Sequence, residues 1–135
     1  MAGWEDVRRL ALALPEVEER TAADGRPEQW RVHDKLMAWD RPLRPADREA
    51  LGDAAPSGPI LGIRVPGLDA KEALLAEYPG VCFTTPHFNG YPAILVQLDR
   101  IAGDDLEDLL VEAWLTQAPK RLASEFLAAR ASVDT

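Results

Sequence analysis

The sequence predicts an α+β fold: a single domain over residues 1–135, with an antiparallel sheet of about five strands and the N- and C-terminal helices packed on one face. Three observations carry that expectation. Residues Gln29 to Trp39 read as a β-hairpin with an apolar and a polar face. Each end of the chain carries a helical apolar stripe: Val7, Leu10, Ala11 and Leu14 near the start, and Leu106, Leu109, Leu110, Ala113 and Trp114 towards the end. A length of 135 residues, 47% of them hydrophobic and 28% charged, suits one globular domain with one core.

The elements follow in order. The first helix includes Trp4 in its stripe and should end near Leu14, because Pro15 cannot continue it. Glu16, Glu18 and Glu19 then form an acidic elbow, with Val17 inward and the carboxylates in solvent. The turn formers Asp24-Gly25-Arg26-Pro27 lead into the hairpin. With Asp34-Lys35 as a two-residue loop, His33 pairs with Leu36, Arg31 with Ala38 and Trp30 with Trp39. Strand alternation then puts Trp30, Val32, Met37 and Trp39 on a core face, the two indoles stacked across the ladder. Pro45 opens a short helix to Leu51, closed by Gly52. Ile60 to Val65 is a third strand, with Leu61, Ile63 and Val65 inward and Arg64 outward. Asp69 and Glu72 form a capping pair for a helix to about Tyr78 that buries Leu74 and Leu75. Val81 to Thr84 is a fourth strand, and Ala93 to Leu98, nearly continuous in apolar residues, is a central fifth. Asp104 and Glu107 pair at the start of the long helix. Pro119 begins a last helix with Leu122 and Phe126 inward, and order ends near Arg130.

Charge and composition narrow the function. The formal net charge of −8 argues against a broad, sequence-independent phosphate-binding surface. The bases are not evenly spread, however. From Arg26 to Arg48 there are six basic and four acidic residues, and this net-positive segment contains the hairpin. No apolar run is long enough to span a bilayer, and the start of the chain lacks the basic and apolar regions of a signal peptide, so no membrane partner and a cytoplasmic location are expected. A single cysteine, Cys82, allows no internal disulfide and no cysteine-based zinc site.

No phosphate-cradling, dinucleotide-binding, zinc-ligating or nucleophile-elbow motif is present. Neither catalysis nor a cofactor or metal is expected. His33 and Asp34, adjacent on a strand, point to opposite faces and form no dyad. Cys82 with His87 would be a nucleophile pair only if the loop reached the strand, and a thiol in an apolar strand is expected to be buried and inert. Two binding surfaces remain. Arg31, His33, Lys35 and Arg64 are the candidate nucleic-acid residues, on the outer face of the sheet. Arg41, Arg44 and Arg48 could support phosphate contacts, but read first as solvated loop charges. His87, Asn89 and Tyr91, crowded between Pro86 and Pro92, are the candidate contacts for an unidentified protein or small ligand.

A run of loose motifs in consistent order adds to this. Leu10-Ala11-Leu12-Ala13-Leu14-Pro15, Val17-Glu18-Glu19, Gly25-Arg26-Pro27, Trp30-Arg31-Val32-His33-Asp34-Lys35-Leu36-Met37-Ala38, Ile63-Arg64-Val65, His87-Phe88-Asn89-Gly90, Leu98-Asp99 and Glu112-Ala113-Trp114 together resemble an MmcQ/YjbR-like protein. The likeness runs through nearly the whole chain. It implies a frataxin-like sandwich of helices on an antiparallel sheet, and the family's "double wing" label implies DNA as a partner. The shared fold also implies an iron-binding alternative through Glu16, Glu18 and Glu19. Family members often have Gly where Asp34 stands and an aromatic where Pro92-Ala93 stand, and the stretch from Pro42 to Pro59 is an insertion relative to them.

Overall fold

The computed structural model describes residues 2–134, and the side chains of residues 2–132. Helix α1 (Trp4–Leu12) starts where the Asp6 carboxylate accepts the backbone N–H of Gly3 at 2.9 Å, closing the first turn. Next comes β1 (Val17–Thr21), where the sequence reading placed an acidic elbow. Glu16 enters it with a left-handed φ of 59°, and the strand then alternates: Val17 and Glu19 are half-buried, Glu18 and Arg20 exposed. The charges hide the alternation, because Glu19 is turned inward by specific partners rather than by apolarity. Its carboxylate accepts Arg8 Nε at 2.9 Å, Arg8 Nη2 at 3.1 Å and the Trp30 indole N–H at 3.0 Å.

The hairpin consists of β2 (Pro27–Val32) and β3 (Lys35–Asp40). Its loop is His33-Asp34, one residue earlier than expected. Both residues have positive φ, 47° and 67°, the paired left-handed conformation that matches the twist of a tight hairpin. Val32 therefore pairs with Lys35 and Arg31 with Leu36. The register then slips: Trp30 pairs with Ala38 and Gln29 with Trp39, so Met37 is an extra residue in a β-bulge. Met37 and Ala38 are both fully buried on the helix side, and Trp39 emerges on the other. The expected core face of Trp30, Val32, Met37 and Trp39 thus holds for three residues and fails for Trp39. The indole that stacks on Trp30 is Trp4, 6.2 Å away and tilted by 16°.

The remaining elements lie close to expectation: α2 (Pro45–Leu51), β4 (Ile60–Arg64), α3 (Leu68–Glu77), β5 (Cys82–Phe83), β6 (Ala93–Gln97), α4 (Gly103–Gln117) and α5 (Lys120–Asp134). Helix α5 continues past Arg130, where the sequence reading ended order. The six strands form one antiparallel sheet in the order β1-β2-β3-β4-β6-β5. Its helix side holds the main core, where Leu61, Ile63, Ile94 and Val96 meet Val7 and Ala11 of α1 and Leu106, Leu110, Ala113 and Trp114 of α4, with Leu122 and Phe126 of α5 packed around them. Two long-range bonds tie α4 to the sheet end of the chain: Trp114 Nε1 donates to Pro15 O at 2.9 Å, and Gln117 Nε2 to Leu36 O at 2.7 Å. The outer side carries a second, smaller cluster of Ile60, Phe88, Ala93 and Leu95, with Trp39, Leu43 and Phe83 against it. No helix among the described residues is long and apolar enough to cross a membrane.

Candidate functional site

The smaller cluster leaves a cleft of about 550 Å³ on the outer face, between β3, the segment leading to α2 and the loop from Pro86 to Tyr91. The bulge at Met37 supplies its floor, since it is what turns Trp39 outward. Gly62 of β4, paired with Trp39, makes room for the indole: a Cβ at Gly62 would come within 2.5 Å of Trp39 Cε2. Phe88 is the hub of the aromatic wall. Its ring centroid lies 6.2 Å from that of Trp39, 6.2 Å from that of Tyr91 and 4.9 Å from that of His87, which meets it edge-on.

Two buried cations fix this wall. Arg41 is buried with its guanidinium carbon 5.2 Å from the Phe88 centroid. It pairs with Asp47 at 3.0 Å and donates to the carbonyl of Pro42. Burial pushes the Asp47 carboxyl up, but the backbone N–H of Arg44 at 2.9 Å and the Arg41 guanidinium outweigh that and hold it below the usual carboxylate range, so the pair is ionic. Arg41 is therefore a structural cation rather than the solvated loop charge expected. Lys71 of α3 is also buried. Its Nζ donates to Phe88 O at 2.6 Å and Tyr91 O at 2.9 Å, and it meets no carboxylate among the described residues. Burial pushes its ammonium down from the ordinary 10.5. In effect it ties the middle of the loop, at Phe88, to its end at Tyr91. Asp40, at the edge of the cleft, is pushed up by burial against the pull of Arg26, 2.9 Å away.

The candidate residues from the sequence divide. His87 and Tyr91 line the cleft. Asn89 is exposed beside it, outside the lining, with its backbone N–H bonded to Pro86 O. Arg31 and Arg64 both face outward, but β3 stands between their strands, which keeps their backbones about 10 Å apart. Arg31 Nε donates to Gln29 Oε1 at 2.9 Å and its Nη1 to Asp34 O at 3.0 Å. Arg64 belongs to the cleft's neighbourhood: its guanidinium carbon is 5.0 Å from the Tyr91 centroid and its Nη1 is 3.2 Å from the Tyr91 hydroxyl. His33 sits in the turn, where Nε2 meets Glu16 Oε1 at 2.8 Å. Lys35 is exposed at the hairpin end, in register with Val32 of the helix side. The four bases do not form one patch. Sequence reasoning missed Trp39, Phe88 and Lys71. For Trp39 the missing signal was the bulge; for Lys71, a lysine on a helix has no mark of burial in the sequence.

The three glutamates also part company. Glu16 goes to His33, Glu19 to Arg8 and Trp30, and Glu18 faces the other way. Among the described residues no group of three or more His, Cys, Asp or Glu side chains could hold a metal ion. Cys82 points to the main core, where burial pushes its thiol up to about 12, while His87 lies on the opposite side of the sheet.

A family model described as YjbR matches residues 12–116, which include all six strands and every residue lining the cleft. The chain belongs to the YjbR family. An uncharacterized protein of Mycobacterium bovis and one of Mycobacterium tuberculosis are each 54% identical to it over 131 residues, 95% of this chain and 98% of theirs. No solved structure matches it. In this YjbR-family chain the matched region ends within α4, so α5 adds to a sheet and cleft that the family segment already contains.

Proposed function

We propose that this YjbR-family protein is a non-enzymatic, cytoplasmic binding domain that takes a small ligand in the outer-face cleft. One observation carries the reading: the cleft is walled by Trp39, Phe88, His87 and Tyr91 and held open by two buried cations, Arg41 and Lys71, whose bonds go to protein groups. A partly apolar cavity of this size with a few polar groups at its rim is the ordinary form of a ligand site. Absence of catalysis is supported by the separation of Cys82 from His87 across the sheet. A fragment library followed by two-dimensional NMR tests the proposal. Ligands should shift the Trp39 indole and the amides of residues 86–91 while leaving the Trp114 indole, buried on the other side, in place. A screen in which no fragment moves Trp39 or the loop would overturn it.

A second reading, DNA binding, is favoured by the bases themselves. Arg31, Lys35, Arg44 and Arg64 have no carboxylate within 4.0 Å among the described residues, whereas Arg8, Arg9, Arg20, Arg26 and Arg41 are paired. A phosphate contact releases counterions, so real binding must weaken steeply with salt. Fluorescence anisotropy with duplex DNA should then show salt-dependent binding that an Arg31→Glu/Arg64→Glu variant loses. Binding indifferent to both salt and variant would remove this reading.

A further inference from the structure

The geometry points to a planar aromatic anion as the class of ligand that the cleft takes, an inference that rests on the cleft being the binding site. The lining favours an aromatic ligand. Trp39 and Tyr91 are only partly covered, 42% of Tyr91 remaining exposed, and their rings are tilted by 47° and 44° to that of Phe88. Arg64 lies over one face of Tyr91 and Gly62 backs the Trp39 indole, and among the described residues the ring that either contacts is Phe88. A flat ring entering the cleft would stack on one or both, which aromatic side chains reward beyond plain burial.

The anionic half follows from compensating the charges on the lining one by one. Arg41 is neutralised by Asp47, and Asp40 by Arg26. What remains is Arg44 on one side of the balance and Glu28 on the other. Arg44 is exposed, and its guanidinium makes no ion pair among the described residues; its backbone is engaged, the N–H donating to Asp47 and the carbonyl accepting from the Arg48 N–H. Its guanidinium is thus available to a ligand's acidic group, and His87 Nδ1 or Nε2 can add a donor. Arg64 lies just behind Tyr91, bonded to its hydroxyl, and reinforces the positive side. Glu28 is the one opposing charge, and it gives the inference a test of sign.

Two dyes of nearly the same shape serve as probes: anilinonaphthalene sulfonate, which is aromatic and anionic, and phenylnaphthylamine, which is aromatic and neutral. Fluorescence titration of the intact protein should show one saturable sulfonate site, with the amine bound more weakly. Tyr91→Ala, at an exposed position that folding tolerates, should weaken both dyes about tenfold. Arg44→Gln should weaken the sulfonate by about 1.5-fold to fivefold, the range of an exposed ion pair, and leave the amine unchanged. Glu28→Gln should strengthen the sulfonate alone. If the amine binds as tightly as the sulfonate and neither Arg44→Gln nor Glu28→Gln separates them, the anionic class is overturned while the cleft stands as a site. If neither dye saturates, or Tyr91→Ala changes neither, the cleft itself is not the site and the inference falls with it.

Discussion

Glu19 shows how much a single carboxylate can organise. It receives three donors from two elements, Arg8 on α1 and Trp30 on β2, and so joins the first helix to the sheet. The Arg8 guanidinium holds its carboxyl below the ordinary 4.5, against the opposing effect of burial. The unfolded chain therefore takes up this proton first as the solution is acidified. The stabilisation is complete above pH 4.5 and drains away as pH falls through the lower folded value. Thermal melts of the natural protein should lose stability on acidification below about pH 4.5 more steeply than melts of Glu19→Gln, which starts lower and falls less. Lys71 carries a different expectation. Replacing it with Met leaves the carbonyls of Phe88 and Tyr91 without their donor, at a cost of about 1–3 kcal/mol, offset in part because a buried ammonium no longer has to be desolvated. The net loss should be about 1 kcal/mol in denaturant unfolding. Hydrogen exchange should locate it, with faster exchange in residues 86–92 than in the strands. Neither residue was legible in the sequence. Glu19 sat in a run of charges, and Lys71 lies between Asp69 and Glu72 like any solvated helix residue.

The helices were readable because their signal is periodic and redundant. Five apolar positions of α4 and the stripe of α1 point inward where the spacing put them, and the N-cap of α4, Ala102, lies two residues before the expected Asp104, which still leaves Asp104 and Asp105 in its first turn. Strand β3 was misread because parity is an all-or-none code: one unrecognised extra residue inverts everything beyond it. The turn contributed as well. His33 and Asp34 lack the Gly that usually marks a left-handed pair, so the loop was placed one residue late. Because the strand has a residue to spare, shortening it is tolerable. Deletion of Ala38 would leave Met37 opposite Trp30 and facing the core, restore plain alternation and keep Trp39 outward. That variant should fold, with a loss of about 1–3 kcal/mol from imperfect repacking, and should keep the Trp39 indole's NMR response to cleft ligands. Deleting Ile63 from β4, which has no bulge, should abolish the cooperative melt.

For the molecule as a whole, the net charge of −8 goes with the pairing of five arginines with acids, out of 15 lysines and arginines in the sequence. The sequence conveyed the acidity, but not which bases were already engaged, since those pairings join distant segments. Arg8 reaches across to Glu19, and Arg26 to Asp40. The strand order has a further consequence, for crowded solutions. A sheet with open borders invites another chain to hydrogen-bond along it. Here one border, β1, is short, charged at Glu18 and Arg20, and breaks register before Thr21. The other, β5, is two residues long, and the Cys82 N–H is already given to Tyr78 O at the end of α3. Neither border offers a second copy a run of unused amides. Raising the concentration of the native protein should bring no growth of intermolecular β-sheet by infrared spectroscopy, and such growth should begin only once heat has loosened α1 or α3 from the sheet.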